Sequence, residues 1–288
     1  MANGILIVDK PAGWTSQDVA AKLRGVFHER RVGHGGTLDP MATGVLPVFV
    51  GRATRAAEFC ESAEKEYEAV LRLGLVTDTQ DTTGTVLEER PAAVTRAEVE
   101  ALLPRFTGEL QQIPPMYSAV KIGGQKLYRL ARRGCEIERP ARGITVFALE
   151  LLSCSGSDYT LRVRCSKGTY IRTLCHDMGA ALGCGGCMAG LRRTQAGRFP
   201  LAMAHPLAEI LACAEPESLL LPVDALFSQY PPLTVTADQA ARIKNGAPLR
   251  GLPFSGGLCR VYDDAGEFLI LGRAEDGVLT AVKGFYET

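Results

Sequence analysis

Ile144-Thr145-Val146-Phe147-Ala148-Leu149-Glu150-Leu151-Leu152-Ser153-Cys154, then Ser155-Gly156-Ser157-Asp158, then Tyr159-Thr160-Leu161-Arg162-Val163-Arg164-Cys165 is the stretch that decides the fold class. Two runs rich in β-branched and aromatic residues flank a short turn-forming cluster, the pattern of an antiparallel hairpin. Upstream, Tyr67 to Leu73 alternates strictly, with Tyr67, Ala69, Leu71 and Leu73 on one face. Ile5 to Val8 reads as a buried strand, and Val45 to Val50 as an edge or irregular strand because Pro47 interrupts it. Helical signals lie between the strands. Thr15 and Asp18 form a capping-box start before Val19, Leu23, Val26 and Phe27. Residues 95–105 have helical periodicity, Gln125 to Arg133 reads as a short basic helix, and Thr169 to Leu182 is a helix stopped near Gly183. Strands and helices without a βαβ rhythm predict an α+β domain rather than a doubly wound sheet.

The 288 residues suffice for one large domain and one small one. A boundary is expected near Tyr230-Pro231-Pro232. Beyond it come a helix around Asp238 to Lys244, a Gly-rich stretch, and strands at Cys259–Tyr262, Phe268–Leu271 and Leu279–Val282. So small a β-rich module is marginal alone and is expected to dock on the main domain. The first apolar run is too short for a signal peptide and nothing reaches the length of a membrane helix. The nine irregularly spaced cysteines fit reduced thiols. These features predict a cytoplasmic protein, and the lack of an apolar seam predicts a monomer.

Net charge is zero, from 32 bases and 32 acids, but it is segregated. Residues 116–145 carry a net of +5, from Lys121, Lys126, Arg129, Arg132, Arg133, Arg139 and Arg142 against two glutamates. Residues 160–200 carry +6. Such segregation either steers a polyanion or is balanced by acidic neighbours in space. Cys184-Gly185-Gly186-Cys187 has zinc or redox spacing but lacks a second pair. The loop Asp78 to Gly84 lacks a calcium-loop pattern, and no phosphate-binding Lys-Ser/Thr loop is present. Taken locally, Asp39, after Gly35-Gly36 and before Pro40, is a turn former, and the glycine pair permits close approach of a ligand.

Six runs change that reading: Lys10-Pro11-Ala12-Gly13-Trp14-Thr15-Ser16, Arg31 to Pro40 with Gly35-Gly36-Thr37-Leu38-Asp39-Pro40 at its end, Lys65-Glu66-Tyr67, Thr77-Asp78-Thr79-Gln80-Asp81, Gln112 to Lys121, and Ser166-Lys167-Gly168-Thr169-Tyr170-Ile171-Arg172. In this order they resemble the TruB family, which isomerises the T-loop uridine at position 55 of transfer RNA. The resemblance implies a pseudouridine-synthase fold, with a central mixed, mainly antiparallel sheet flanked by helices. It assigns residues 1–229 to the catalytic domain, 116–142 to a mobile basic insertion that closes over RNA, and 230–288 to a truncated, PUA-like RNA-binding module. It makes Asp39 the catalytic carboxylate, Tyr67 the stacking tyrosine and Arg172 the partner that keeps Asp39 ionised. Tyr170 and Leu191 line the pocket, and His34 helps open the T loop. Lys121, Lys126, Arg129 and Arg132 are expected to contact RNA. No metal or cofactor is implied, and the expected partner is the tRNA T stem-loop. Two rival readings remain at this stage. A glycoside hydrolase would need a second carboxylate facing Asp39, and a non-catalytic RNA-binding or tRNA-folding module would need only the basic segments.

Overall fold

The structure, a computed structural model, describes residues 2–61, 63–251 and 256–286. In chain order the first part of the main domain comprises β1 (Gly4–Lys10), α1 (Ser16–Val26), β2 (Val32–His34), β3 (Thr43–Val50), α2 (Ala57–Glu61), β4 (Lys65–Leu73), β5 (Leu75–Thr77) and β6 (Val86–Glu89). Next come α3 (Arg96–Leu102), β7 (Gly108–Gln112), β8 (Lys121–Ile122), β9 (Gln125–Lys126), α4 (Leu127–Ala131), β10 (Arg142–Ser155) and β11 (Asp158–Cys165). Then follow α5 (Ile171–Ala181), β12 (Gly186–Ala196), β13 (Phe199–Pro200), β14 (His205–Pro206) and α6 (Leu207–Ala212).

The central sheet runs β14-β1-β3-β12-β4-β11-β10-β7, with β13 paired to β12 and β2 to β3. Only β1/β14 and β3/β12 are parallel, so the sheet is mixed and mainly antiparallel. Its faces explain the apolar runs. In β1, Leu6 and Val8 enter the core beneath the helices, whereas Ile5 and Ile7 enter a second core on the opposite face. In β3, Leu46, Val48 and Val50 face the first core, and Val45 and Phe49 the second. Strands covered on both faces must be apolar throughout. The first core is closed by Val19, Ala20 and Leu23 of α1, Val99 of α3, Leu174, Cys175 and Met178 of α5, and Ile210 of α6. In β4, Tyr67, Ala69, Leu71 and Leu73 point into it, as the alternation predicts.

Two local expectations are corrected, and one strand is added. Val45 to Val50 is interior, not an edge. Pro47 accepts from Gly35 N–H through its carbonyl (2.9 Å), so its nitrogen, which lacks a proton, faces the same side. There β2 ends at Val48 and β12 engages only Thr43 and Gly44, leaving no ladder bond for Pro47 to lose. Residues 125–133 begin as a hairpin, β8/β9, because Gly123 and Gly124 both take positive φ (57° and 80°) and make a two-residue turn. Only Leu127–Ala131 is α-helical. The strand β12, which sequence reasoning did not find, fills the centre of the sheet.

Past Tyr230 lie β15 (Pro232–Thr234), α7 (Ala237–Lys244), β16 (Leu249–Arg250), β17 (Gly257–Tyr262), β18 (Phe268–Glu275) and β19 (Val278–Gly284). They form a separate five-stranded sheet, β15-β17-β18-β19-β16, with its own core around Val261, Leu269, Ile270 and Leu279. Part of the Gly-rich stretch, 252–255, falls outside the described residues. The module docks on the second face of the main sheet. Phe227 and Phe285 pack with Ile5, Ile7 and Phe49, and Lys283 pairs with Glu58 at 2.7 Å. Each fully buried side chain of this size contributes about 1.5–3 kcal/mol.

Candidate active site

Asp39 lies in the loop between β2 and β3, and the loop is fastened from below. Leu38 N–H donates to Ser16 Oγ (2.8 Å), Ser16 Oγ donates to the Leu38 carbonyl (3.1 Å), and Gly13 N–H donates to the Pro40 carbonyl (2.8 Å). Lys10, completely buried, donates to the carbonyls of Pro11 (2.9 Å), Trp14 (2.7 Å) and Pro40 (3.3 Å). Burial lowers its pKa to about 8, against a raising influence of the Asp39 charge. The run Lys10 to Ser16 therefore serves as the base of the Asp39 loop. The glycine pair packs against protein. A Cβ on Gly35 would sit 2.9 Å from Phe49 and Cys60, and Gly36 takes φ +120° above Arg193. Tight packing replaces the expected close approach of a ligand.

Arg172, 5% exposed, projects from the first turn of α5 and holds Asp39 with Nε 2.9 Å from Oδ2 and Nη2 donating to Oδ1 at 3.3 Å. Its remaining donors reach the Thr79 carbonyl (3.0 Å) and the Tyr117 carbonyl (2.8 Å), and Asp81 Oδ2 lies 3.7 Å from Nη1. A cation in the first turn opposes the helix dipole, and α5 has no acidic residue there. Asp39 and Asp81, both from loops, supply the negative charge. Asp81 is itself fixed by Thr79 and Thr83, both donating to Oδ1.

The carboxyl of Asp39 is one third exposed, while its partner is sealed. Burial raises its pKa above the ordinary carboxylate value, and Asp81 adds to the rise; Arg172 and Lys10 pull the other way. The sign expected for Arg172 is correct, but desolvation outweighs it. Asp81 is buried behind Arg172 and engages it rather than Asp39, so the two carboxylates flank a cation instead of facing each other across a substrate gap.

Of the other candidates, Tyr67 and Tyr170 feel the charge of Asp39, while Leu191 and His34 belong to β12 and the end of β2. Tyr67 is buried in β4, its phenol pKa raised by burial. Tyr170 caps α5, its phenol likewise raised by burial, and its backbone is gripped by Gln112. Tyr170 N–H donates to Oε1 (2.8 Å), and Nε2 donates to the Tyr170 carbonyl (3.0 Å). Leu191 of β12, opposite Ala69, packs against the main core. His34, at the end of β2, is half-buried and its pKa is lowered chiefly by burial. Lys10, Asp81, Gln112 and Arg193 were not singled out in the sequence as site residues. The first three lie inside quoted runs, which is the signal that would have found them.

The two basic segments differ. Arg162 pairs with Glu150, Arg164 with Glu64, Arg192 with Asp9, and Arg172 with Asp39 and Asp81, so residues 160–200 are largely neutralised within the protein. Lys121, Lys126, Arg129 and Arg132 instead form no ion pair among the described residues, and all but half-buried Lys126 are exposed. Lys126 and Arg132 lie over the Tyr128 ring, 5.8 and 5.5 Å from its centre. Cys184 and Cys187 are free thiols, and no group of three or more metal-binding side chains is assembled among the described residues.

Comparison with known proteins gives matches along nearly the whole chain. Residues 24–171 match the family described as TruB family pseudouridylate synthase (N terminal domain). Residues 172–228 match the tRNA pseudouridylate synthase B C-terminal domain, and 231–283 match pseudouridine synthase II TruB, C-terminal. Among curated proteins, the tRNA pseudouridine synthase B of Ectopseudomonas mendocina is 47% identical, covering 95% of this chain and 92% of that protein. The protein of the same name from Azoarcus sp. is 45% identical, covering 97% and 93%. Among solved structures, a chain from a Cbf5-Nop10-Gar1 complex superposes with a TM-score of 0.75 at 27% identity, covering 98% of this chain and 85% of that one. A chain from an H/ACA RNP bound to a substrate RNA containing 2′-deoxyuridine gives 0.74 at 25% identity, covering 99% and 85%. Relatives of this identity, aligned over almost their full length, leave one assignment: this chain belongs to the TruB family of pseudouridylate synthases.

Proposed function

We propose that the protein converts the uridine at position 55 in the T loop of tRNA to pseudouridine, with Asp39 as the catalytic carboxylate. Isomerisation of tRNA uridine is the activity named for its relatives. The observation that carries the assignment to Asp39 is its pairing with sealed Arg172 at 2.9 Å while its own carboxyl stays one third exposed.

The reaction breaks the C1′–N1 bond, turns the uracil, and joins C1′ to C5. C5 loses a proton and N1 gains one, so the product is an isomer and no redox partner is consumed. A target base inside a folded loop must first leave its stack. Tyr67 and Tyr170 both feel the charge of Asp39, and an aromatic platform returns about 1–3 kcal/mol of lost stacking per base. Asp39 then acts on the sugar or the base as nucleophile or as base. Arg172 fixes the carboxylate and offsets its charge. Leu191 lines the pocket apolar and helps keep water from the detached uracil. His34 at the rim is assigned to loop opening.

Residues 116–142 are the segment that closes over RNA. In support, their cations Lys121, Lys126, Arg129 and Arg132 pair with no carboxylate among the described residues, and the Tyr117 carbonyl already meets Arg172. Residues 1–229 form the catalytic unit, and 230–288 the PUA-like module that extends the RNA contact. The protein is taken to work as a monomer in the cytoplasm. Its free thiols fit a reducing compartment, and no described helix is long and apolar enough to cross a membrane.

Nucleotide-resolution mapping of pseudouridine in tRNA incubated with wild type and with Asp39→Asn is the test. Wild type should convert the single T-loop uridine, and the variant should bind the tRNA without converting it. Conversion by the variant at the wild-type rate rules out the catalytic role, and conversion elsewhere rules out the T loop.

A further inference from the structure

Arg193 is 1% exposed in the middle of β12, yet no carboxylate of the described residues lies within ion-pair distance of it. Its neighbours in charge are Lys10, His34, Cys60, Lys65 and Tyr67, and none is an acid. An unpaired buried cation costs stability, and an apolar side chain of similar volume would ordinarily serve better there. What Arg193 does make is specific. Nε donates to the Val45 carbonyl in β3 (2.6 Å), and Nη2 donates to the Gly36 carbonyl in the Asp39 loop (3.1 Å). Arg193 also stands directly opposite Tyr67 in the β12/β4 ladder, so the two side chains leave the sheet as neighbours on one face. The backbones are drawn close enough that Gly44, at φ +98°, has no room for a Cβ beside the Arg193 peptide.

We propose that Arg193 is a positioning residue for the isomerisation: one planar guanidinium holds the Gly36 end of the catalytic loop, β3 and the hydroxyl of Tyr67 in fixed relation. A planar fork holds acceptors that lie far apart at fixed angles, whereas an ammonium gathers only acceptors around one point, so lysine is not equivalent. Arginine has no acceptor, so Tyr67 receives through its oxygen, and its own proton turns away from Arg193. Tyr67 is then a hydroxyl of set direction as well as a stacking face. The inference rests on the assignment of Asp39 and Tyr67 to the reaction site.

The test compares single-turnover pseudouridine formation and tRNA affinity in wild type, Arg193→Lys, Tyr67→Phe and the double variant. Loss of the fork lets loop and tyrosine drift, and a misplacement near 1 Å costs about 10²-fold in rate. The expected result is a rate loss of that order in each single variant with unchanged tRNA affinity, and little further loss on combining them. The ¹³Cζ resonance of Tyr67, identified by its disappearance in Tyr67→Phe, should move in Arg193→Lys while the other tyrosines stay. Independent, multiplying rate losses, or an unmoved resonance, overturn the proposal. A wild-type rate in Tyr67→Phe does the same and needs no substitution at Arg193, should Arg193→Lys fail to fold. Absence of pseudouridine with wild type would instead overturn the function on which the inference rests.

Discussion

Replacing Arg172 with lysine keeps the positive charge and removes the fork, which separates charge from geometry. The guanidinium now serves Asp39 through Nε and Nη2, the Thr79 carbonyl through Nη1 and the Tyr117 carbonyl through Nη2, with Asp81 3.7 Å away. A lysine ammonium is a single point, and from this helix position it can face Asp39 or the carbonyls but not both. Two part-buried carbonyls lose a charged donor, and hydrogen bonds of that kind are each worth about 1.5–3 kcal/mol. Their sum, about 3–6 kcal/mol, overlaps the range of about 3–5 kcal/mol for breaking one side of a buried charge network, which is the expected cost. At roughly 2–4 °C per kcal/mol, calorimetry should show Tm falling by about 6–20 °C. The turn Thr77 to Asp81 keeps its bonds to Met188 and Thr173, so the segment Met116 to Ser118 would loosen more. Release of tritium from C5-labelled uridine in tRNA reports the reaction directly, because C5 exchanges its hydrogen for the sugar. Below the new Tm the rate should fall about 10²-fold from misalignment. A variant that melts within 2 °C of wild type and releases tritium at the wild-type rate would show that the ion pair, and not the fork, is what matters.

The remaining expectations concern titration and RNA. Because burial raises the pKa of Asp39, the acid limb of the single-turnover rate should have its midpoint above the ordinary aspartate value of about 3.9, and a midpoint at or below it contradicts the burial argument. Lys10 has its folded pKa lowered to about 8, so the unfolded chain holds its proton to higher pH, and stability gains with pH from about 8 to about 10.4. Urea unfolding across that window should show a smaller gain in Lys10→Met; an equal gain in both proteins removes Lys10 as its source. Replacing Lys121, Lys126 and Arg129 with alanine should flatten the plot of log affinity against log salt by about 2–3 units, and an unchanged slope means that these side chains do not touch phosphates.

What the sequence disclosed follows from where the signal is stored. β4 and the β10/β11 hairpin were legible because one face is buried and the other is not, which writes a period of two into the residues. β12 was not. Gly186, Gly190, Arg192 and Arg193 break any alternation, and the strand exists because β3 and β4 offer it two edges, information held elsewhere in the chain. The same holds for the site. Asp39 and Arg172 are 133 residues apart, and no local rule joins them. Lys10 and Arg193 read as surface charges, since the carbonyls that receive them become neighbours only after folding. Residues 160–200 show the converse: a basic run on paper, mostly neutralised by partners in space.

The late position of β12 has a consequence for synthesis. β3 and β4 are complete by Leu73, but the strand that joins them ends at Ala196. At ribosomal speeds of about 5–20 residues per second, the two halves of the future sheet wait roughly 6–25 s with their inner edges unpaired. For most of that interval the Asp39 loop has neither Arg172 nor Arg193 to hold it. The nascent chain must keep two open strand edges from pairing with other chains, and the surroundings of Asp39 are complete only when one strand arrives to join both sides.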